Sequence, residues 1–137
     1  MLTKFRNADI GLLIARLGLA YIFIEHSLQK LSNIPGSVKF FGHLGLPMPT
    51  FTLYLVCGVE LLGGICMLLG VFTEIAGLLL AVDMLGVIIT VRTGPMAHGI
   101  LAGHEFEFML LIMSLAVALI GSGRFSLIRP KQQQILV

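Results

Sequence analysis

The chain has 137 residues, of which 57% are apolar and 12% charged, with a net charge of +2 and a mean hydropathy of +1.00. Because soluble domains carry about 25% charged residues, this composition excludes an ordinary soluble globule and predicts one integral membrane domain spanning 1–137. The small, dispersed positive charge also argues against a nucleic-acid partner.

The first apolar segment predicts a helix over 9–30, long enough to cross a hydrocarbon core of about 30 Å. Pro35 and Gly36 supply its stop signals. The following segment, 37–49, mixes aromatic and basic residues and contains Pro47 and Pro49. It predicts a short interfacial helix that these prolines end.

Three further apolar segments predict helices over 50–69, 74–91 and 104–120. A tight turn joins the first two of them, a loop over 92–103 precedes the last, and Gly121-Ser122-Gly123 ends it. The expected fold is therefore an all-α integral membrane four-helix bundle, with a short interfacial helix between helices one and two.

Basic residues bear on the orientation of this bundle. Lys and Arg number five beside the two termini and three on the opposite side: Lys4, Arg6, Arg124, Arg129 and Lys131 against Lys30, Lys39 and Arg92. Since cytoplasmic loops carry the excess of Lys and Arg, both termini are predicted to be cytoplasmic.

Pairs of small residues four positions apart occur in every predicted helix: Gly11 and Ala15, Cys66 and Gly70, Gly77 and Ala81, Ser114 and Ala118. Such pairs let helix backbones approach closely in lipid. They predict tight packing in the cytoplasmic half of the bundle and a cavity open to the outer side.

Ionisable residues inside the apolar segments are the main functional signal. They are Arg16, Glu25, His26, Glu60, Asp83, Glu105 and Glu107. One charge at the bilayer centre costs at least about 2.5 kcal/mol, so such residues normally face a bundle interior or a wet cavity.

Helical spacing places Arg16 and Lys30 within about 40 degrees of each other on one face of the first helix, with His26 on its flank. Glu60 lies midway along the second helix and needs a cationic partner, for which Arg16 is the natural candidate. An Arg16–Glu60 pair could belong to a binding site, or it could simply pin two helices together.

Glu107 shares a face with Ser114 and is predicted to point inward. Asp83 is either a third acid in the cavity or a neutral, hydrogen-bonded group within the bundle. Glu25 and Glu105 point elsewhere and are expected to be peripheral.

Histidines raise the alternative of a metal or haem. His26 and His104 could form a haem ligand pair, and His98, His104, Glu105 and Glu107 could bind a divalent ion. Because no motif such as CxxCH or HExxH occurs, no metal and no haem are expected.

Four segments of the chain resemble the DoxX family of small four-helix bacterial membrane proteins: ARLGLAYIFIEHSLQKL at 15–31, GLPMP at 45–49, VELLGGICMLLGVFTE at 59–74 and GSGRFSL at 121–127. Polar positions that recur in that family match Arg16, His26, Lys30, Glu60 and Glu107, whereas Asp83 has no secure counterpart. Glu74 and Ile128 depart from the family pattern, which usually has a basic and an acidic residue there.

The resemblance implies a membrane subunit of a quinone-linked oxidoreductase system in the bacterial inner membrane, related to sulfur or thiosulfate oxidation. Glu60, Glu107 and His26 would serve proton chemistry, and Arg16, Lys30 and Asp83 would bind the quinone or anion. The expected cofactor is a quinone, and the expected partners are the lipid bilayer, a redox protein and a second copy of the chain. A non-catalytic membrane anchor and a small proton-coupled transporter are the alternatives.

Overall fold

A computed structural model describes residues 7–91 and 103–128. Within these ranges the chain is all-helical, with no strand. The helices are α1 (Asn7–Ser32), α2 (Ile34–His43), α3 (Pro49–Leu69), α4 (Thr73–Thr90) and α5 (Glu105–Ile120). Several residues of the sequence argument lie outside the described residues, namely Lys4, Arg6, Arg92, His98, Arg129 and Lys131.

The four long helices begin and end within two residues of their predicted bounds. The prediction for the short helix was wrong at both ends, because it runs over Ile34–His43 and not over 37–49. Asn33 caps it by accepting a hydrogen bond from the Gly36 amide at 3.2 Å, and Pro35 suits its first turn. Pro49 likewise begins α3. Pro35 and Pro49 therefore lie at the starts of helices, whereas the sequence predicted that they lie at the ends of helices.

The four long helices pack in a closed cycle, α1 against α3, α3 against α4, α4 against α5, and α5 against α1. α1 and α3 are antiparallel, and a Cβ atom at Gly64 would lie 3.2 Å from the carbonyl oxygen of Ala20. Only a glycine lets the two backbones approach this closely.

One predicted set of small residues meets as expected. A Cβ atom at Gly77 of α4 would lie 2.6 Å from the carbonyl oxygen of Ser114 and 3.0 Å from the Cβ atom of Ala118 on α5. Gly11, in contrast, has no atom of the described residues within 4 Å of its Cβ position, so the predicted close packing does not occur in this part of the structure.

Apolar side chains fill the centre of the bundle, including Leu19, Phe23, Met67, Leu80 and Val117. Large apolar side chains also cover the outside: Leu119 is 87% exposed, Tyr21 71% and Ile89 70%. Because soluble monomers rarely expose large contiguous apolar surface, this exterior suits lipid. Among the described helices, α3 and α4 are long and apolar enough to span a membrane.

α5 ends at Ile120, as the Gly121-Ser122-Gly123 segment predicts, and Gly121 adopts a positive φ of 87°. The residues that follow, 121–128, are named here the tail. The tail returns to the end of α3, where the Leu127 amide donates a hydrogen bond to the Leu69 carbonyl at 3.1 Å.

Candidate functional site

A buried ion pair joins α1 to α3. The Lys30 Nζ atom lies 2.7 Å from Oε1 and 2.6 Å from Oε2 of Glu60. The Glu60 side chain is 1% exposed, whereas the Lys30 side chain is 26% exposed. The pair therefore runs from the surface of the bundle to its interior.

The predicted Arg16–Glu60 pair was wrong, and the direction of helical side chains explains why. Side chains tilt toward the N-terminus of their own helix. Glu60, on α3, packs beside α1 at a level between Arg16 and Lys30. The Lys30 side chain, which tilts toward the N-terminus of α1, therefore points toward Glu60, and the Arg16 side chain points away from it.

Arg16 instead binds backbone carbonyl groups at the C-terminal end of α3 and in the tail. Its Nε donates to Met67 O at 3.0 Å, and its Nη1 donates to Ser122 O at 2.6 Å and Phe125 O at 2.9 Å. Its Nη2 lies 3.5 Å from Leu68 O. A cation at a helix C-terminus is favourable, and Arg16 is 1% exposed, so these contacts link α1 to the end of α3 and to the tail.

Asp83 of α4 is the third group of the Lys30–Glu60 site. Its carboxyl group interacts electrostatically with both the Glu60 carboxyl group and the Lys30 ammonium group. Its Oδ2 atom is buried and has no hydrogen-bond partner among the described residues. Because two carboxylates repel each other when both are ionised, two carboxyl groups beside one ammonium group can hold a proton. We call Lys30, Glu60 and Asp83 the acid cluster.

Ser27 and Cys57 close the acid cluster on one side. The Ser27 hydroxyl donates to the Cys57 carbonyl at 3.0 Å, which ties α1 to α3 one turn from Glu60. The Cys57 thiol is buried and unbridged.

His26 lies near the cluster, but its ring faces another helix. The centroid of the imidazole is 5.9 Å from that of the Phe106 ring on α5. The His26 carbonyl group lies 3.4 Å from Lys30 Nζ. The backbone of His26, and not its ring, therefore contacts the acid cluster.

Glu107 forms a second polar group with His104, which the sequence argument considered only as a metal or haem ligand. His104 Nδ1 lies 3.7 Å from Glu107 Oε2, and His104 Nε2 lies 2.7 Å from Val91 O at the end of α4. Since Nε2 donates to that carbonyl, Nδ1 is an acceptor in the neutral ring, and neither Nδ1 nor Oε2 has a hydrogen-bond partner among the described residues. The spacing of three residues within one helical turn was the available signal.

The remaining candidates lie at the surface. Glu105 is exposed, and Glu25 accepts an exposed hydrogen bond from Gln29 at 3.1 Å. Over the described part of the chain, no three His, Cys, Asp or Glu side chains gather as metal ligands would.

An apolar groove of about 350 Å³ runs between α3 and α4; we call it the α3/α4 groove. Its lining is almost entirely hydrocarbon and glycine backbone: Tyr54, Leu55, Gly58, Val59, Leu62, Gly63, Cys66, Phe72, Ile75, Ala76 and Leu79. A groove of this size is in the range of small-molecule sites, about 300–1,000 Å³.

Comparison with known proteins assigns the family. Residues 11–93 match the DoxX family model, and a Bacillus subtilis (strain 168) protein named "Putative oxidoreductase CatD" is 37% identical over 125 residues, which cover 91% of this chain and 89% of that protein. The chain belongs to the DoxX family. An Escherichia coli (strain K12) protein named "Inner membrane protein YphA" is 35% identical over 63 residues, 46% of this chain and 45% of that protein. No solved structure matches significantly.

This DoxX chain is thus a membrane protein with a relative named as an oxidoreductase. The acid cluster of Lys30, Glu60 and Asp83 lies within the segment that matches the family model, and His104 and Glu107 lie beyond it. Within the acid cluster, Lys30 and Glu60 are therefore the candidates for a function shared with the family, since Asp83 has no secure counterpart in it.

Proposed function

We propose that this DoxX protein is the quinone-binding membrane subunit of an oxidoreductase system, and that the acid cluster meets the quinone head group. The observation that carries the proposal is that one ammonium group, on Lys30, interacts with two carboxyl groups, one of which keeps a buried oxygen without a hydrogen-bond partner among the described residues. Intramembrane ionisable groups of this kind mark proton and substrate sites.

The donors and acceptors of the cluster suit a quinone. A bound quinone supplies two-electron chemistry coupled to two protons. Protonated Asp83 would donate a hydrogen bond to a carbonyl oxygen of the head group, while Lys30 holds the charge of Glu60. Because Lys30 is partly exposed and Glu60 is buried between it and Asp83, protons would pass from the surface through Glu60 to Asp83.

The electrons would come from a separate redox protein, since membrane subunits of such systems work with a partner. The family resemblance favours a reduced sulfur compound such as thiosulfate as their ultimate source. In this proposal the four long helices all cross the inner membrane, with both termini in the cytoplasm.

The test is to purify the full chain in its native lipids and to measure extracted quinone per mole of protein by chromatography. We expect wild type to retain quinone and Glu60→Gln and Asp83→Leu to lose most of it, because leucine has no hydrogen-bond donor for the head group. Glu25→Gln is the matched control, because Glu25 is an exposed carboxylate on α1 that contacts Gln29. Wild type without quinone, or variants that retain as much as the control, would contradict the proposal.

One outcome would favour the membrane-anchor alternative. If Glu60→Gln lowers the yield of folded protein but leaves quinone per folded molecule unchanged, the Lys30–Glu60 pair serves helix packing alone.

A further inference from the structure

The α3/α4 groove faces the lipid and not the bundle interior. Along it, Leu62 is 65% exposed, Ile75 62% and Leu55 55%, and each of these residues lines the groove. Small residues, including Gly58, Gly63 and Ala76, form part of its lining and leave space for a ligand. A ligand can therefore enter the groove sideways from the bilayer.

Asp83 connects the groove to the acid cluster. At 100 degrees per residue, Asp83 is about 40 degrees from Leu79 and about 20 degrees from Ala76 around α4, and both of those residues line the groove. Asp83 is thus one turn beyond Leu79 on the groove face of α4, while its carboxyl group reaches Glu60. Asp83 is not itself among the lining residues; its position beside the groove follows from this helical spacing and gives the groove a polar end.

The depth of that polar end limits the class of ligand. Asp83 lies about 10 Å from the upper end of α4 and about 15 Å from the lower end, so it is near the middle of a hydrocarbon core of about 30 Å. A phospholipid keeps its charged head group at the interface, so that head group does not reach this depth. If it did, its phosphate would be repelled by two carboxyl groups. A ligand with a neutral head group can lie at this depth.

We propose that the α3/α4 groove holds the isoprenoid tail of the quinone, which is a part of the ligand and distinct from the protein tail of residues 121–128. The quinone enters from the lipid and places its head group at Asp83. This inference rests on the proposed function and adds the position of the tail. It assigns Gly58 as the residue that keeps the groove open, because no atom lies within 4 Å of its Cβ position.

The experiment compares two probes, a 1,4-naphthoquinone with a four-isoprene tail and the same head group without a tail, bound to the full chain in lipid nanodiscs. The Cβ atom of Gly58→Leu has open space among the described residues, so the rest of the side chain can extend into the groove, and leucine favours a helix more than glycine does. Gly86→Leu is the matched control, since Gly86 of α4 also has an open Cβ position and lies outside the groove.

We expect Gly58→Leu to weaken binding of the tailed probe about tenfold or more and to leave the tailless probe unchanged. Gly86→Leu should alter neither. If wild type binds both probes equally well, or if Gly58→Leu binds the tailed probe as wild type does, the groove does not hold the tail, and the head-group site still stands.

Two further outcomes are distinguishable. If wild type binds neither probe, the proposed function fails and the tail position with it. If Gly58→Leu loses phospholipid that co-purifies with wild type but keeps its affinity for the tailed probe, the groove holds a phospholipid chain and the inference is overturned.

Discussion

Replacing Arg16 by methionine tests whether this buried cation serves the fold or the site. Arg16 donates to the carbonyl groups of Met67, Ser122 and Phe125 at 3.0, 2.6 and 2.9 Å. Hydrogen bonds from a charged donor contribute about 1.5–3 kcal/mol each. At the lower figure three of them total about 4.5 kcal/mol, and methionine preserves much of the packing, so we expect a loss of about 3–5 kcal/mol.

The assay is thermal unfolding of the full chain. Unfolding is monitored by the reaction of a fluorescent maleimide with Cys57, which is 3% exposed in the folded protein. A Cys66→Ala background removes the second, less buried thiol. We expect Arg16→Met to unfold roughly 10–17 °C below this background. Arg16→Lys should fall between them, because an ammonium group keeps the charge but lacks the planar fork.

Quinone content separates the two roles. Arg16→Met should retain as much quinone per folded molecule as wild type, because Arg16 contacts the tail and the end of α3 and not the acid cluster. Unfolding at the background temperature combined with loss of quinone would refute this reasoning and return Arg16 to the binding site.

Three other substitutions test the packing and the polar groups. Lys30→Met should lower the unfolding temperature by leaving the Glu60 carboxylate buried and unpaired, and adding Glu60→Leu should recover it without restoring quinone binding; a double variant no more stable than the single would contradict this. Gly77→Leu should prevent folding or sharply lower the yield in size-exclusion chromatography, because the side chain would meet the α5 backbone; a normal elution profile would disprove that contact. Glu107→Gln should preserve the unfolding temperature, because its amide can turn toward His104 Nδ1 and donate to it, whereas Glu107→Leu should cost about 1–2 kcal/mol; equal temperatures for the two would show that a polar group at this position does not stabilise the fold.

Much of the fold was predictable from the sequence, because helix formation is local. Long apolar segments and their glycine and proline boundaries predicted the four long helices to within two residues. The start of α2 was missed, since Pro35 can either end a helix or occupy a first turn, and the Asn33 cap decides between these.

Spacing and polarity along the chain were enough to select Lys30, Glu60 and Asp83 as candidate site residues. Their partners depend on how the helices pack against one another. The antiparallel register of α1 against α3, with side chains tilted toward each helix N-terminus, pairs Glu60 with Lys30 and leaves Arg16 to the carbonyl groups of the tail. Such pairings depend on how two helices slide and rotate relative to each other, which no single helix encodes.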